Sequence, residues 1–249
     1  MFILVTNDDG VLSPGLKTLA DAAAPFGDVA VIAPDVERSG VSHAITLLEP
    51  LRCRQNANGY YALSGTPADC VFVGMHHVLG RRPDLVLAGI NRGPNLGGDV
   101  LYSGTVGGAT EATIAGIPAV AFSLVGEGDD YPFDFCVPHV QAILAEVIAR
   151  GMPDGTMLNV NIPAPCIAPL KGWRVTRLGR RFYSNDIIER HDPRGQRYLW
   201  IGGTRVTMDS GPDTDTGALH DGFITISPVR PDLMARDAMA ALEPFNRSL

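Results

Sequence analysis

Short apolar runs with β-branched members, alternating with helical segments, constrain this chain more than any other feature. Phe2 to Thr6 and Val29 to Ala33 read as strands, and Leu16 to Ala24 between them reads as a helix. A β-α-β opening joins parallel strands, because that crossover is too long for a hairpin. The alternation continues with a strand at Leu85 to Ile90, a small-residue helix at Thr105 to Ala115, a strand at Ala119 to Ser123 and a helix over Val137 to Ala149. The expected fold class is α/β, a mostly parallel sheet covered by helices on both faces.

Beyond residue 150 the pattern changes to separated strands at Leu158 to Ile162, Trp173 to Leu178, Tyr198 to Ile201 and Phe223 to Ile226. The organisation expected over 1–249 is therefore one domain, with a core over 1–150 and a strand-rich extension over 151–249. Within that extension Arg180 to Arg197 holds most of the local charge and reads as an exposed arm that contacts another subunit. Arg236 to Leu249 reads as a short amphipathic helix or tail. A chain of 249 residues is close to the size of one large core.

The formal net charge of -7 repels polyanions, which argues against a nucleic-acid duplex as partner but leaves room for a small phosphorylated substrate in one cleft. Apolar runs fall well short of the roughly 20 residues of a membrane-spanning helix. Met1 to Thr6 has no basic segment and runs straight into Asn7, Asp8 and Asp9, so neither a membrane nor a secretory route is expected and the location reads as cytoplasmic. Cys53, Cys70, Cys136 and Cys166 form no C-x-x-C pair and read as buried free thiols.

Chemistry is expected at the carboxyl ends of the strands, where ligands bind in open parallel sheets. Strand Phe2 to Thr6 ends in Asn7-Asp8-Asp9-Gly10, Val29 to Ala33 leads into Pro34 to Gly40, and Leu85 to Ile90 ends in Asn91-Arg92-Gly93-Pro94-Asn95. Adjacent carboxylates repel, so Asp8 and Asp9 point to a hard divalent cation, with Gly10 letting the chain leave β geometry so that both reach it. The competing reading is a helix N-cap. Ser39 and Asn91 are neutral oxygen ligands suited to Mg²⁺ or Mn²⁺ beside carboxylates, although each alone is an ordinary loop residue. His43 reads as a structural histidine before a general acid or ligand.

The glycine-rich run Gly97 to Gly108 enters a helix and presents backbone N–H groups with the Ser103 and Thr105 hydroxyls. Such a loop binds phosphate, caps the helix through Ser103, or does both. Neither G-x-x-x-x-G-K-[ST] nor G-x-G-x-x-G is present. Gly40-Val41-Ser42-His43-Ala44 lacks the context of a serine nucleophile, and Asp213-Thr214-Asp215 reads as a solvated turn rather than an aspartyl-phosphate site.

Taken together, Val5 to Gly10, Glu37 to Ser42, Ser64 to Cys70, Gly89 to Gly108, Leu158 to Pro163 and Thr214 to Gly222 resemble, in order and over most of the chain, the survival protein SurE family of nucleotidases. The resemblance implies a Rossmann-like core, a C-terminal part used to form a homodimer or homotetramer, and one divalent cation, Mg²⁺, Mn²⁺ or Co²⁺, per subunit. It implies a 5′-nucleotidase, a phosphatase of nucleoside 5′- and 3′-monophosphates, some relatives also shortening polyphosphate. By that resemblance Asp8, Asp9, Ser39 and Asn91 are metal ligands, Asp8 and Asp9 are catalytic, and Asn95 with Ser103-Gly104-Thr105 contacts phosphate. Attack by a water activated on the cation is the expected mechanism, and whether Asp8 or Asp9 also takes a proton from it is left open by the sequence. A phosphatase of sugar phosphates or polyphosphate and a non-catalytic nucleotide sensor remain as alternatives. Tyr102, Phe182 and Tyr183 are candidates for stacking on a base and equally for simple packing.

Overall fold

The computed structural model describes residues 1–128, 131–184, 186–202 and 205–245. Strands β1 (Phe2–Thr6), β2 (Asp28–Pro34), β3 (Cys53–Gln55), β4 (Tyr61–Leu63), β5 (Leu85–Arg92), β6 (Ala119–Val125), β7 (Met157–Pro163), β8 (Gly172–Val175) and β13 (Phe223–Val229) build one sheet in the order β3-β4-β2-β1-β5-β6-β7-β13-β8. The run from β4 to β7 is parallel, while β3 pairs antiparallel to β4, and β13 pairs antiparallel to β7 but parallel to β8. β1 sits between β2 and β5, so the chain reverses its direction of travel across the sheet beside β1. That crevice is where an open α/β sheet takes its ligand.

The β1 residues are buried on both faces, as expected of a central parallel strand. Ile3 and Val5 join Leu16 and Leu19 of α1 (Pro14–Ala23) and Val140, Ile143 and Leu144 of α4 (Val137–Arg150) in one core layer. Leu4 turns the other way, to Val71 of α2 (Pro67–Val73) and Val106 and Ala109 of α3 (Gly104–Ile114). Period-two alternation in the strand thus feeds two helix layers. α3 has almost no apolar stripe; its Gly107, Gly108, Ala109 and Ala112 let its backbone lie close to the sheet and to a neighbouring loop.

The core strands and helices lie within a few residues of the sequence expectations. β3, β4 and α2 were not anticipated, since three-residue strands carry no measurable period. A signal for α2 was present: Thr66, Pro67 and Asp69 form a capping box, with Asp69 N–H donating to Thr66 Oγ1 at 3.1 Å and Thr66 N–H to Asp69 Oδ2 at 2.9 Å.

Four expectations need correction. The strand expected over Trp173 to Leu178 ends at Val175. Only Cys70 and Cys136 are buried; Cys53, on the edge strand β3, and Cys166, in the loop after β7, are exposed, because burial follows position in the sheet rather than neighbours in sequence. Asp213-Thr214-Asp215 is not a solvated turn: Thr214 and Asp215 are fully buried and open helix α5 (Asp215–His220), with Thr214 as its N-cap. The arm extends beyond the expected Arg180 to Arg197. Strand β9 (Arg181–Tyr183) pairs with β12 (Arg205–Met208), and β10 (Ile187–His191) pairs with β11 (Arg197–Ile201) in an exposed hairpin. The tail forms short exposed helical turns over Arg236–Phe245; its last residues, 246–249, lie outside the described residues.

Candidate active site

The chain leaves β1 through a turn closed by Asn7 Nδ2, which donates to the Gly10 carbonyl at 3.1 Å. Gly10 adopts φ +96°, a conformation that side chains resist, so Asp8 and Asp9 project from a turn and not from a regular strand. Ser13, not either aspartate, occupies the N-cap position of α1, which removes the capping explanation for the pair.

Asp8 is buried beneath the start of α3. Thr105 Oγ1 donates to its Oδ1, and its own carbonyl accepts from Arg38 N–H at 2.7 Å. A Cβ on Gly104 would stand 2.8 Å from Asp8 Cβ, so only glycine allows this approach. Burial pushes the Asp8 carboxyl up, against the Thr105 hydroxyl and the backbone N–H groups of Thr105 and Gly104, which pull it down. Asp9 Oδ2 accepts from Arg92 N–H at 3.3 Å. Its carboxyl is pushed up to about 6, first by burial and then by the neighbouring Asp8.

Asn91 stands at the end of β5, just after the β5–β6 register shifts between Ala88 and Asn91. Its Nδ2 donates to the Gly93 carbonyl at 2.9 Å, which fixes the orientation of the amide and leaves Oδ1 as the atom a cation would meet. Ser39 is exposed on the loop after β2, and its Oγ donates to Glu37 Oε1 at 2.9 Å while keeping lone pairs for a cation. Arg38 beside it and Arg92 beside Asn91 bond to Asp8 and Asp9 respectively, so the three loops do converge.

A divalent cation fits this donor set. Two carboxyls held above their ordinary pKa, Asp8 by burial and Asp9 by burial and the neighbouring Asp8, are stabilised in ionised form by added positive charge. Among the described residues no group of three or more His, Cys, Asp or Glu is placed to hold a metal; a shell at this point would draw on two acids with neutral oxygens, a hard set suited to Mg²⁺ or Mn²⁺.

Ser103 is the N-cap of α3, its Oγ accepting from Val106 N–H at 3.1 Å, and the first turn of the helix presents Gly104 and Thr105 towards Asp8. Asn95 is placed differently. It is buried, its Nδ2 donates to Ser123 Oγ at 2.8 Å, its N–H donates to Asn161 Oδ1 at 2.8 Å, and its carbonyl accepts from Asn159 and Asn161 at 2.8 and 3.0 Å. No hydrogen bond joins it to the aspartates among the described residues. Tyr102 is exposed, Tyr183 donates its hydroxyl to Asp99 at 2.7 Å, and the side chain of Phe182 lies outside the described residues.

Sequence reasoning missed the groups that hold this constellation from a distance. Asp215 accepts from the N–H groups of Gly97 at 2.7 Å and Gly179 at 2.8 Å, tying the glycine-rich loop to the root of the arm. Arg181, with its side chain 5% exposed, pairs with Asp99 of the same loop. Glu111 pairs with His43 at 2.7 Å. The buried Asp in a Thr-Asp cap was the one visible signal.

Comparison with known proteins identifies the family. The sequence pattern described as "Survival protein SurE" matches residues 3–185. The 5′-nucleotidase SurE of Moorella thermoacetica is 48% identical over 94% of this chain and 91% of its own, and that of Syntrophotalea carbinolica is 48% identical over 94% of this chain and 92% of its own. The crystal structure of the SurE protein from Aquifex aeolicus is 40% identical, covers 98% of this chain and 99% of its own, and superposes with a TM-score of 0.86. With the paired aspartates at the end of β1, the glycine-rich entry to α3 and this likeness over nearly the whole length, the chain belongs to the SurE family.

Proposed function

We propose that this protein is a metal-dependent 5′-nucleotidase that hydrolyses nucleoside 5′-monophosphates, and 3′-monophosphates as well, to nucleoside and phosphate. The observation that carries the reading is the buried Asp8 and half-buried Asp9 at the crevice beside β1, facing the N-terminus of α3. Its relatives carry the name 5′-nucleotidase over nearly their full length.

Asp8, Asp9, Ser39 and Asn91 would hold one Mg²⁺, Mn²⁺ or Co²⁺ per subunit. When bound, such a cation supplies charge that polarises a phosphate oxygen and acidifies a coordinated water. The chain's residues do the rest. Thr105 orients Asp8 through its hydroxyl, and the positive end of α3 with the Ser103 and Thr105 hydroxyls favours the charge that develops on the phosphate oxygens. Asn95, locked by Ser123, Asn159 and Asn161, stiffens the entry to that loop and lends its remaining N–H.

The exposed hairpin supports self-association into a homodimer or homotetramer: Ile187, Ile188, Tyr198, Leu199, Trp200 and Ile201 all face solvent on a two-stranded element too small to be stable alone. Within 151–249 the hairpin is the part that serves assembly, whereas β7, β13 and β8 of the same segment complete the sheet of the core over 1–150. Free thiols and the lack of a helix long and apolar enough to cross a membrane, both among the described residues, fit a reducing, cytoplasmic setting.

The test is phosphate release from nucleoside monophosphates, sugar phosphates and polyphosphate, using chelated enzyme before and after adding Mg²⁺, Mn²⁺ or Co²⁺. Metal-restored release concentrated on nucleotides, abolished in a folded Asp8→Asn variant, is expected. Release mainly from the other esters would shift the substrate class, and nucleotide binding without any release would leave a sensor.

A further inference from the structure

We infer that His43 and Glu111 are a positioning pair that clamps the Ser39 loop onto α3 and so completes the metal shell, an inference that rests on Ser39 being a ligand of the proposed site. The connection from β2 to β3 contains no regular element, yet it carries Ser39. A ligand on an unsupported loop is a poor ligand, because binding must then also order the loop. The loop must be held by something.

The anchor is α3. Ser42 N–H donates to the Tyr102 carbonyl at 3.0 Å, and Ser42 Oγ donates to the Leu101 carbonyl at 2.5 Å. Ser42 takes φ +57°, strained for a serine and maintained by these contacts. Below it the loop backbone touches the helix directly: a Cβ on Gly107 would stand 2.5 Å from the Ser42 carbonyl oxygen. One turn further, His43 Nε2–H donates to Glu111 Oε2 at 2.7 Å, with the two side chains 32% and 12% exposed. Gly104, Gly107 and Glu111 follow the i, i+3, i+7 spacing of one helix face. That face touches Asp8 at its first residue, the loop backbone at its second and the loop's imidazole at its third.

Gly104 lies against Asp8, and Glu111 lies seven residues along α3, roughly 10 Å down the axis. His43 is committed to Glu111 and acts through Ser39, four residues before it.

The experiment measures Mn²⁺ binding to chelated, refilled protein by calorimetry, alongside the Mn²⁺ concentration giving half-maximal phosphate release. His43→Ala and the near-isosteric Glu111→Gln are each expected to weaken Mn²⁺ binding by about 10- to 100-fold, the usual cost of losing an orienting partner, with kcat at saturating Mn²⁺ changed much less. His43→Gln, which restores an N–H donor of similar reach, is expected to recover most of the affinity. In a Ser39→Ala background, His43→Ala is expected to add little, whereas general loosening of the fold would add its full effect. Wild-type Mn²⁺ affinity in both folded single variants, or full additivity with Ser39→Ala, overturns the positioning role while leaving the nucleotidase reading standing. Wild-type affinity in Ser39→Ala overturns the ligand assignment itself, and with it this inference.

Discussion

Gly104→Ala gives the sharpest view of how the helix and the acid pair share space. The added Cβ would stand 2.8 Å from Asp8 Cβ, 3.0 Å from Asp8 Oδ2 and 3.2 Å from the Arg38 carbonyl oxygen. Carbon atoms in ordinary contact lie at roughly 3.5 Å, so Asp8 or the first turn of α3 must move by about 0.7 Å. Neither moves freely: Asp8 is held through its carbonyl by Arg38 N–H at 2.7 Å and through its carboxylate by Thr105. Catalytic groups tolerate about 0.5 Å of error, and a 1 Å misplacement costs on the order of 10²-fold. The expected loss in kcat/KM is therefore about 10- to 100-fold, roughly 1.4 to 2.7 kcal/mol of transition-state stabilisation. Stability should fall by about 0 to 2 kcal/mol, since overpacking costs about 1 to 3 kcal/mol and the better helix former returns about 1 kcal/mol.

Phosphate release from a nucleoside monophosphate at saturating metal, read beside a thermal melt, separates the two quantities. Gly98→Ala is the control, because its Cβ would meet nothing within 4 Å. Wild-type kcat/KM in a folded Gly104→Ala variant would refute the claim that α3 and Asp8 are in fixed register.

The raised carboxyls make metal binding pH-dependent. Asp9, pushed up to about 6, and Asp8, also raised, hold protons that a cation must displace, so Mn²⁺ affinity should rise with pH and fall by about tenfold or more per unit below pH 6. The same shift makes the metal-free fold lose stability as pH rises from the ordinary carboxylate pKa of 3.8 to about 6, because the native state binds more protons than the unfolded chain in that window. A flat affinity between about pH 5 and about pH 7 would contradict both statements. Asp215→Ala strands two buried N–H groups, at Gly97 and Gly179, and should cost about 2 to 5 kcal/mol in denaturant unfolding; less than about 1 kcal/mol would show that water satisfies them. Replacing residues 187–201 by a short Gly-Ser link should lower the mass in solution, and an unchanged oligomer would remove the hairpin from the interface.

How much was legible in the chain follows the range of the interactions involved. β1, β2, β5, β6 and β7 and helices α1, α3 and α4 were readable because each buries a run whose period lies within about ten residues. The three-residue strands β3, β4 and β9 have no such period; they exist because a neighbouring strand edge offers hydrogen-bond partners. The exposure of Cys53 and Cys166 was misjudged for the same reason, since an apolar neighbourhood in sequence does not say which sheet edge a residue will occupy.

The site divides along the same line. By itself the sequence determined that two acids and a glycine follow the first strand and that a glycine-rich stretch precedes a helix, which are local facts of chain geometry. Only the tertiary structure decided that Thr105 reaches Asp8 across 97 residues, that Glu111 holds His43 across 68, and that Asp215, taken for a solvated turn, binds Gly97 across 118. A carboxylate's partner is chosen by which buried N–H or O–H group would otherwise go unsatisfied, and that is known only once the sheet has brought distant loops to one edge.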